Sequence, residues 1–163
     1  MAAPSTRPEK TIEDSKTEQI HLLMYEDING ENRLFGGRLI SWIDEVAGTV
    51  AKRHSGIRVT TAAIDNLQFK SPAFLDELIV IIGYVTYVGN TSMEVRVDTY
   101  VESLDGFRRP INRAYLTLVT LGPDGKPVPI PYGLKIETES QRYELEGALK
   151  RIELRKMRQK EGF

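Results

Sequence analysis

The chain contains no cysteine. That excludes a thiol nucleophile, a CxxC redox pair, thiolate zinc sites and iron–sulfur ligation together. Histidine is almost as scarce. His21 and His54 are the only two, they show no HExxH spacing, and no third histidine joins them, so no metal site is expected. A basic surplus is missing as well: 22 Lys and Arg stand against 23 Asp and Glu, a formal net charge of −1. Nucleic-acid binders draw their affinity from neutralised phosphates, so no nucleic-acid partner is expected. No apolar run reaches the roughly 18 residues of a membrane span, and no basic-then-apolar leader opens the sequence. The expectation is a cytoplasmic protein with no membrane partner. At 163 residues the chain suits one domain, burying roughly 68–70% of its extended surface.

Apolar periodicity supplies the positive signals. Residues 1–16 carry Pro4, Pro8 and mixed charge with few apolar groups, and are predicted to be a flexible tail. A short strand is predicted at Ile20–Met24, then a polar loop from Glu26 to Arg33 that leads into Leu34-Phe35-Gly36-Gly37. From about Gly37 to Arg53, Leu39, Ile43, Val46, Ala47 and Val50 fall on one stripe, which predicts an amphipathic helix. His54-Ser55-Gly56 stops it, with His54 expected as a cation at the helix C-terminus. Strands are predicted at Arg58–Phe69, Leu78–Val88, Met93–Glu102 and Arg109–Leu121. The nearly all-apolar Leu78–Val88 reads as covered on both faces, suggesting contact with another subunit. Pro127, Pro129 and Pro131 predict an extended exit outside the sheet, and a charged helix from about Glu139 to Lys160 closes the chain. Short turns make the strands antiparallel, and one helix covers one face of them. The fold class is α+β, an antiparallel sheet wrapped on one long buried helix with a C-terminal helix; the domain spans 17–137 and the terminal helix 138–163.

Several residues stand out chemically. Asp44 sits at the margin of the apolar stripe, where partial desolvation would suit a general base, against the plainer reading of a boundary residue reaching water. Gly36 and Gly37 open the helix, where unpaired N–H groups favour an oxyanion, unless the glycines merely make the turn. Asn29 and Asn32 flank Gly30 in the preceding loop and offer amides or an ordinary turn. On the following strand, period-two alternation places Thr61 and Asp65 on one face, with Asp65 the rival carboxylate, against the plainer reading of a structural hydrogen bond at a strand bend. From Arg142 to Glu161 seven basic and four acidic residues interleave, which reads as a solvated or oligomer-flanking face.

The stretch from Asn29 through Leu34-Phe35-Gly36-Gly37-Arg38-Leu39-Ile40-Ser41-Trp42-Ile43-Asp44-Glu45-Val46-Ala47-Gly48 resembles the helix motif of the hot-dog fold acyl-CoA thioesterases. It is similar to the branch holding the bacterial YciA-type enzymes and the animal cytosolic acyl-CoA hydrolases. Val59-Thr60-Thr61-Ala62-Ala63-Ile64-Asp65, Val88-Gly89-Asn90-Thr91-Ser92-Met93-Glu94-Val95 and Gly125-Lys126-Pro127-Val128-Pro129 extend the likeness to about residues 18–160. The resemblance implies hydrolysis of acyl-CoA by a homo-oligomer, a dimer with a continuous sheet or a trimer of dimers. It implies no cofactor, because CoA is part of the substrate. Carried over residue by residue, it makes Asp44 the catalytic acid, Asn29 the loop amide, Thr61 the strand hydroxyl, and Gly36 and Gly37 the backbone that polarises the thioester carbonyl. Gly89, Asn90, Thr91 and Ser92 match a turn near the CoA moiety. Several relatives carry glycine where this chain has Asn32, a departure that bears on the loop's conformation.

Arg33, Arg38, Arg58 and Lys70 are candidates by position for the CoA phosphates. Asp44 lies seven residues beyond Gly37, ~10.5 Å along a helix. One helix would not serve the thioester carbon and its oxyanion together, which predicts a site shared across a two-fold interface. Two other classes fit the same residues less well: a hydratase or dehydratase using a His–carboxylate pair, and a non-catalytic acyl-CoA sensor.

Overall fold

The computed structural model describes residues 6–163. Helix α1, Gly36–Ser55, buries Leu39, Ile43, Val46, Ala47 and Val50, the stripe that periodicity predicts, and with them Trp42 and Ala51. It ends at Gly56, whose φ of 72° is the left-handed value that glycine adopts freely and whose N–H donates to the Lys52 carbonyl.

Around α1 curls a five-stranded antiparallel sheet. Its strands are β2 (Thr17–Leu22), β3 (Arg58–Phe69), β4 (Leu78–Val88), β5 (Ser92–Glu102) and β6 (Arg108–Leu121), in the spatial order β2-β4-β5-β6-β3. Ile79, Ile81 and Val85 of β4, Met93, Val95 and Val97 of β5, and Ala114, Leu116 and Leu118 of β6 form the core against the helix. Close approach is fixed at Gly83: a Cβ there would lie 2.7 Å from Val46 Cγ1 and 3.1 Å from Val50 Cγ2. Strand β3 is one edge of the sheet and β2 the other.

The second face of the sheet carries helix α2, Glu139–Glu161, which starts at an N-cap Thr138 accepting from Gln141 N–H and packs on β4. The contact is ionic. Buried Glu94 accepts from Arg151 at 2.7 Å and from the Thr86 hydroxyl at 2.7 Å, and Asp65 accepts from Arg155 and Arg158, each at 2.9 Å. Arg96 bridges Asp98 and Glu144, and the Arg151 guanidinium lies 3.5 Å from the Tyr115 ring centroid. The interleaved charges of α2 are therefore spent partly on the sheet, correcting the expectation of a solvated or flanking face. Part of what covers β4 on its second side belongs to the same chain.

The N-terminal expectation also changes. Residues 1–5 of the predicted tail lie outside the described residues. Within 6–16, β1 (Glu9–Lys10) pairs in parallel with β7 (Gly133–Leu134), and Ile12 and Ser15 are buried. Lys10 Nζ donates to the Arg53 carbonyl at the end of α1, and Arg7 to the Ile130 carbonyl. Backbone pairing and these two cations hold a segment whose own composition offers little to bury. The prolines at 127, 129 and 131 give way to this short strand beyond them. His54, expected as a cation at the helix C-terminus, is fully buried. Burial holds its imidazole below the ordinary value.

Candidate active site

Helix α1 turns Asp44, Glu45 and Lys52 outward. The chain leaves α1 through Gly56, and β3 then runs back along the helix, which brings Thr61 beside Asp44. The Thr61 hydroxyl donates to Asp44 Oδ1 at 2.5 Å. Asp44 is exposed in the single chain, as the plainer reading of a boundary residue has it, because β3 is the sheet edge and no strand among the described residues pairs beyond it. The pair opens onto a cleft of about 670 Å³, also lined by Gln19, Gly48, Thr49, Lys52 and Thr60.

Thr61 and Asp65 do not share a face. Thr61 pairs with Leu118 and Ala63 with Thr117, so Ala62 is an extra residue in the ladder. Such a bulge inverts the alternation beyond it. Thr61 faces α1, whereas Asp65 faces α2 and is taken up by Arg155 and Arg158. The rival carboxylate is thereby structural.

A second cleft, of about 390 Å³, lies at the other end of α1, between the 29–36 loop and the 69–73 segment. Asn29, Arg33, Gly36 and Lys70 line it, with Leu34, Leu39, Phe69, Ala73 and Ile111 as apolar walls. Asn29 Oδ1 accepts from the N–H groups of Glu31 at 2.9 Å and Arg33 at 3.2 Å, which closes the loop and leaves the amide Nδ2 to donate outward. Asn32 takes the left-handed conformation, φ 58°, that asparagine tolerates better than most residues. The loop therefore makes its turn with an asparagine at this position. No side chain caps α1 at Phe35, so the N–H groups of its first turn lack intrahelical partners. At Gly36, a Cβ would come within 3.2 Å of the Phe69 ring, and at Gly37 one would come within 2.7 Å of the Phe35 ring.

The expected site residues thus fall into two groups in one chain: Asp44 with Thr61, and Asn29 with Arg33, Gly36 and Gly37. The turn Gly89-Asn90-Thr91-Ser92 lines neither cleft. Ser92 pairs with Val119 of β6, which pairs on its other side with Thr60, so the turn sits at the same end of the sheet as Thr61, two strands away. Two of the rim cations are engaged elsewhere: Arg38 pairs with buried Asp27 at 3.0 Å, and Arg58 donates to the Gly122 carbonyl at 2.8 Å. Sequence reasoning did not single out Gly48, Lys52 or Gln19 as lining residues. The first two were within reach, since Asp44, Gly48 and Lys52 are spaced i, i+4, i+8 on one helix line. Gln19 comes from the far edge strand and gave no local signal. Among the described residues no cluster of His, Asp and Glu is arranged to hold a metal, and no helix is long and apolar enough to cross a membrane.

Residues 31–105 match the Thioesterase superfamily model. Over 161 residues, 98% of this chain and 91% of the relative, the sequence is 37% identical to the uncharacterized acyl-CoA thioester hydrolase YkhA of Bacillus subtilis. The acyl-CoA hydrolase of Staphylococcus aureus, solved with butyryl-CoA, CoA and CoA disulfide, superposes with a TM-score of 0.89 at 31% identity, covering 95% of this chain and 94% of that one. That enzyme has also been solved with alanine in place of one Asn, one Asp and one Thr. A hexameric acyl-CoA thioesterase solved without ligand gives a TM-score of 0.88 at 36% identity, with 93% of this chain and 97% of that one covered.

Proposed function

Because the chain belongs to the acyl-CoA thioester hydrolases of the thioesterase superfamily, it is an enzyme that splits acyl-CoA into a carboxylic acid and CoA, and we propose that Asp44 carries the reaction. The observation behind this is the hydrogen bond from Thr61, which fixes the carboxylate at an open cleft. Asp44 takes the proton of an attacking water, or attacks the carbonyl carbon itself to give a mixed anhydride that water then opens. In either case CoA leaves as the thiol. Thr61 aims the carboxylate. Asn29 Nδ2 and the uncapped N–H groups at Gly36 and Gly37 are donors for the carbonyl oxygen as it becomes an oxyanion. The thioester is already activated, so the reading needs no cofactor.

The site is shared between two copies of the chain. Asp44 and Gly37 are seven residues apart, ~10.5 Å along α1, and Asp44 lines one cleft while Gly36, next to Gly37, lines the other. Among the described residues no strand pairs with the outer edge of β3, 12 residues long, and long free edges invite pairing with another strand. Joining two chains edge to edge continues the sheet and brings each Asp44 toward the partner's second cleft. The hexameric neighbour supports further assembly as a trimer of dimers. The Gly89–Ser92 turn, at the Thr61 end of the sheet, remains a candidate to hold CoA; Arg38 and Arg58 are spent, and Arg33 and Lys70 lie on the rim of the second cleft. The hydratase reading loses its histidine, since His54 is sealed in the core.

The test is thiol release from acyl-CoAs of short to long chain, comparing the intact protein with Asp44→Asn. Release by the first and a ~10²-fold loss in the second, the scale of a missing acid–base group, is expected. Undiminished release by Asp44→Asn would remove Asp44 from the mechanism.

A further inference from the structure

Helix α1 has a glycine in its interior at position 48, one turn past Asp44 on the same outward line. Among ordinary residues glycine is the least favourable inside a helix, because its unfolded backbone has the most freedom to lose. Some helical glycines are needed for packing, as Gly83 on the facing strand is needed by Val46 and Val50. Gly48 is not of that kind. A Cβ built there meets no atom within 4 Å. Among the described residues nothing explains its lack of a side chain.

The space it faces is the cleft of Asp44 and Thr61. Beyond Gly48 on the same line comes Lys52, exposed, two further walls are Gln19 and Thr60, and the apolar contributions are confined to Val59 and Leu118. The second cleft adds apolar walls from Leu34, Leu39, Phe69 and Ile111 to a polar rim of Asn29, Arg33, Lys70 and Ser71. A thioester lying across the shared site has one apolar arm and one arm rich in amides. The apolar walls suit the first and the polar groove the second.

We infer that Gly48 is a specificity-determining position, kept without a side chain so that the amide-bearing arm of the thioester lies directly against the backbone of α1 beside Asp44. This rests on the hydrolase reading above and deepens it. The Asp44 carboxylate and the arm's first atoms then share one turn of helix, and Lys52 stands ~12 Å from Asp44 along the axis, toward the polar end of the ligand.

Gly48→Ala separates this from a merely structural glycine, because the two make opposite forecasts. Helix propensity and the empty space around the Cβ predict a folded variant at least as stable as the intact protein. Occlusion of the groove predicts that kcat/KM for acyl-CoA falls about tenfold or more, chiefly through KM, with Gly48→Val lower still. With the matching acyl N-acetylcysteamine thioester, which lacks most of the arm, the loss should be small. Thermal midpoint, elution volume and the kinetics of both substrates are read on the same samples. Unchanged kinetics in a stabilised Gly48→Ala overturns the inference, as does failure to fold, since the Cβ would then not point into open space. A changed elution volume assigns the gap to the partner chain and overturns it too, and so does an equal loss on both thioesters, which places the effect at the reacting centre. Hydrolysis by the intact protein is measured first: its absence removes the hydrolase reading itself, whereas hydrolysis with an indifferent Gly48→Ala removes only the groove.

Discussion

Thr61 and Asp44 are 17 residues apart in sequence, yet the hydroxyl of one donates to the carboxylate of the other at 2.5 Å. The bond joins the edge strand of the sheet to the central helix on a surface where Asp44 has no other partner among the described residues. Removing the hydroxyl frees the carboxylate to rotate without opening a cavity. Thr61→Val should therefore keep the fold and lower kcat about tenfold, with KM little changed; Thr61→Ser, which keeps the donor, should retain most of the rate. Steady-state kinetics on one acyl-CoA decides it, and equal losses in Val and Ser would assign Thr61 a packing role.

Asn29 has two tasks that substitution can separate. Its Oδ1 closes the 29–33 loop through the N–H groups of Glu31 and Arg33, while its Nδ2 points away from those bonds. Asn29→Asp keeps an acceptor for the loop and removes the outward donor. It should fold with an unchanged thermal midpoint and lose ~10²-fold in kcat, the scale of one missing oxyanion donor. Asn29→Ala should show the same kinetic loss and a lower midpoint. If Asn29→Asp keeps its rate, the amide is only a turn residue.

A site shared between subunits makes a forecast that a self-contained one does not. Asp44→Asn and Asn29→Asp, each nearly inactive alone, damage different halves of it. Mixed in equal amounts through a denature–refold cycle, half of the random dimers carry one intact site of two. About a quarter of the intact protein's activity should return. A mixture no more active than its components would place both groups in one chain's own site.

Much of this architecture was legible in the sequence, because periodicity reports burial directly. The bounds of β3 and β4 matched the prediction, and α1 and α2 were within about two residues of it, since each is framed by glycine, proline or a change of period. What escaped has a physical reason in each case. The bulge at Ala62 leaves no mark in composition, so counting by twos put Thr61 and Asp65 on the same face. The ionic seat of α2 is hidden because its arginines are read as solvated until their partners, Glu94 and Asp65, are known to be buried. The 6–16 segment is held by backbone pairing with β7 and by bonds to distant carbonyls, which depend on contacts more than 100 residues away. Of the site, the helix and loop members were visible; their separation into two clefts follows from α1's length, but Gln19 came from a strand that only the folded sheet brings near.

That ionic seat carries a stability prediction. Glu94 is 2% exposed and its main counter-charge is Arg151. Truncating one partner of a buried pair leaves an uncompensated charge, which costs about 3–5 kcal/mol. Arg151→Met should lower the urea-unfolding free energy by that order while leaving kcat close to intact, since neither residue lines the Asp44 cleft. Adding Glu94→Gln, which removes the charge but can still accept from Thr86, should recover most of the loss. Failure of the second change to rescue would show that Arg151 acts mainly through its packing on Tyr115. All variants are compared at one protein concentration, because an oligomer's stability depends on it.

His54 provides the acid limit of the fold. It lies fully buried at the end of α1, under the segment that carries Arg7 and Lys10. Burial lowers its affinity for a proton, and the positive charges of Lys10 and Arg7 act in the same direction; the backbone at Tyr132 and Gly133 opposes them less strongly. The folded chain therefore binds this proton less readily than the unfolded one, whose histidine titrates near 6.5. Above that value both states are neutral and His54 makes no pH-dependent contribution. Below it the unfolded chain takes up the proton first, so stability falls as pH drops through 6.5 and continues falling until the folded imidazole also protonates. Unfolding midpoints in urea at a series of pH values from about 7.5 to 5 should decline for the intact protein. The decline should be shallower in His54→Leu, which has no proton to gain in either state, even if that variant starts from a lower midpoint. Parallel slopes in the two proteins would assign the acid sensitivity to other groups.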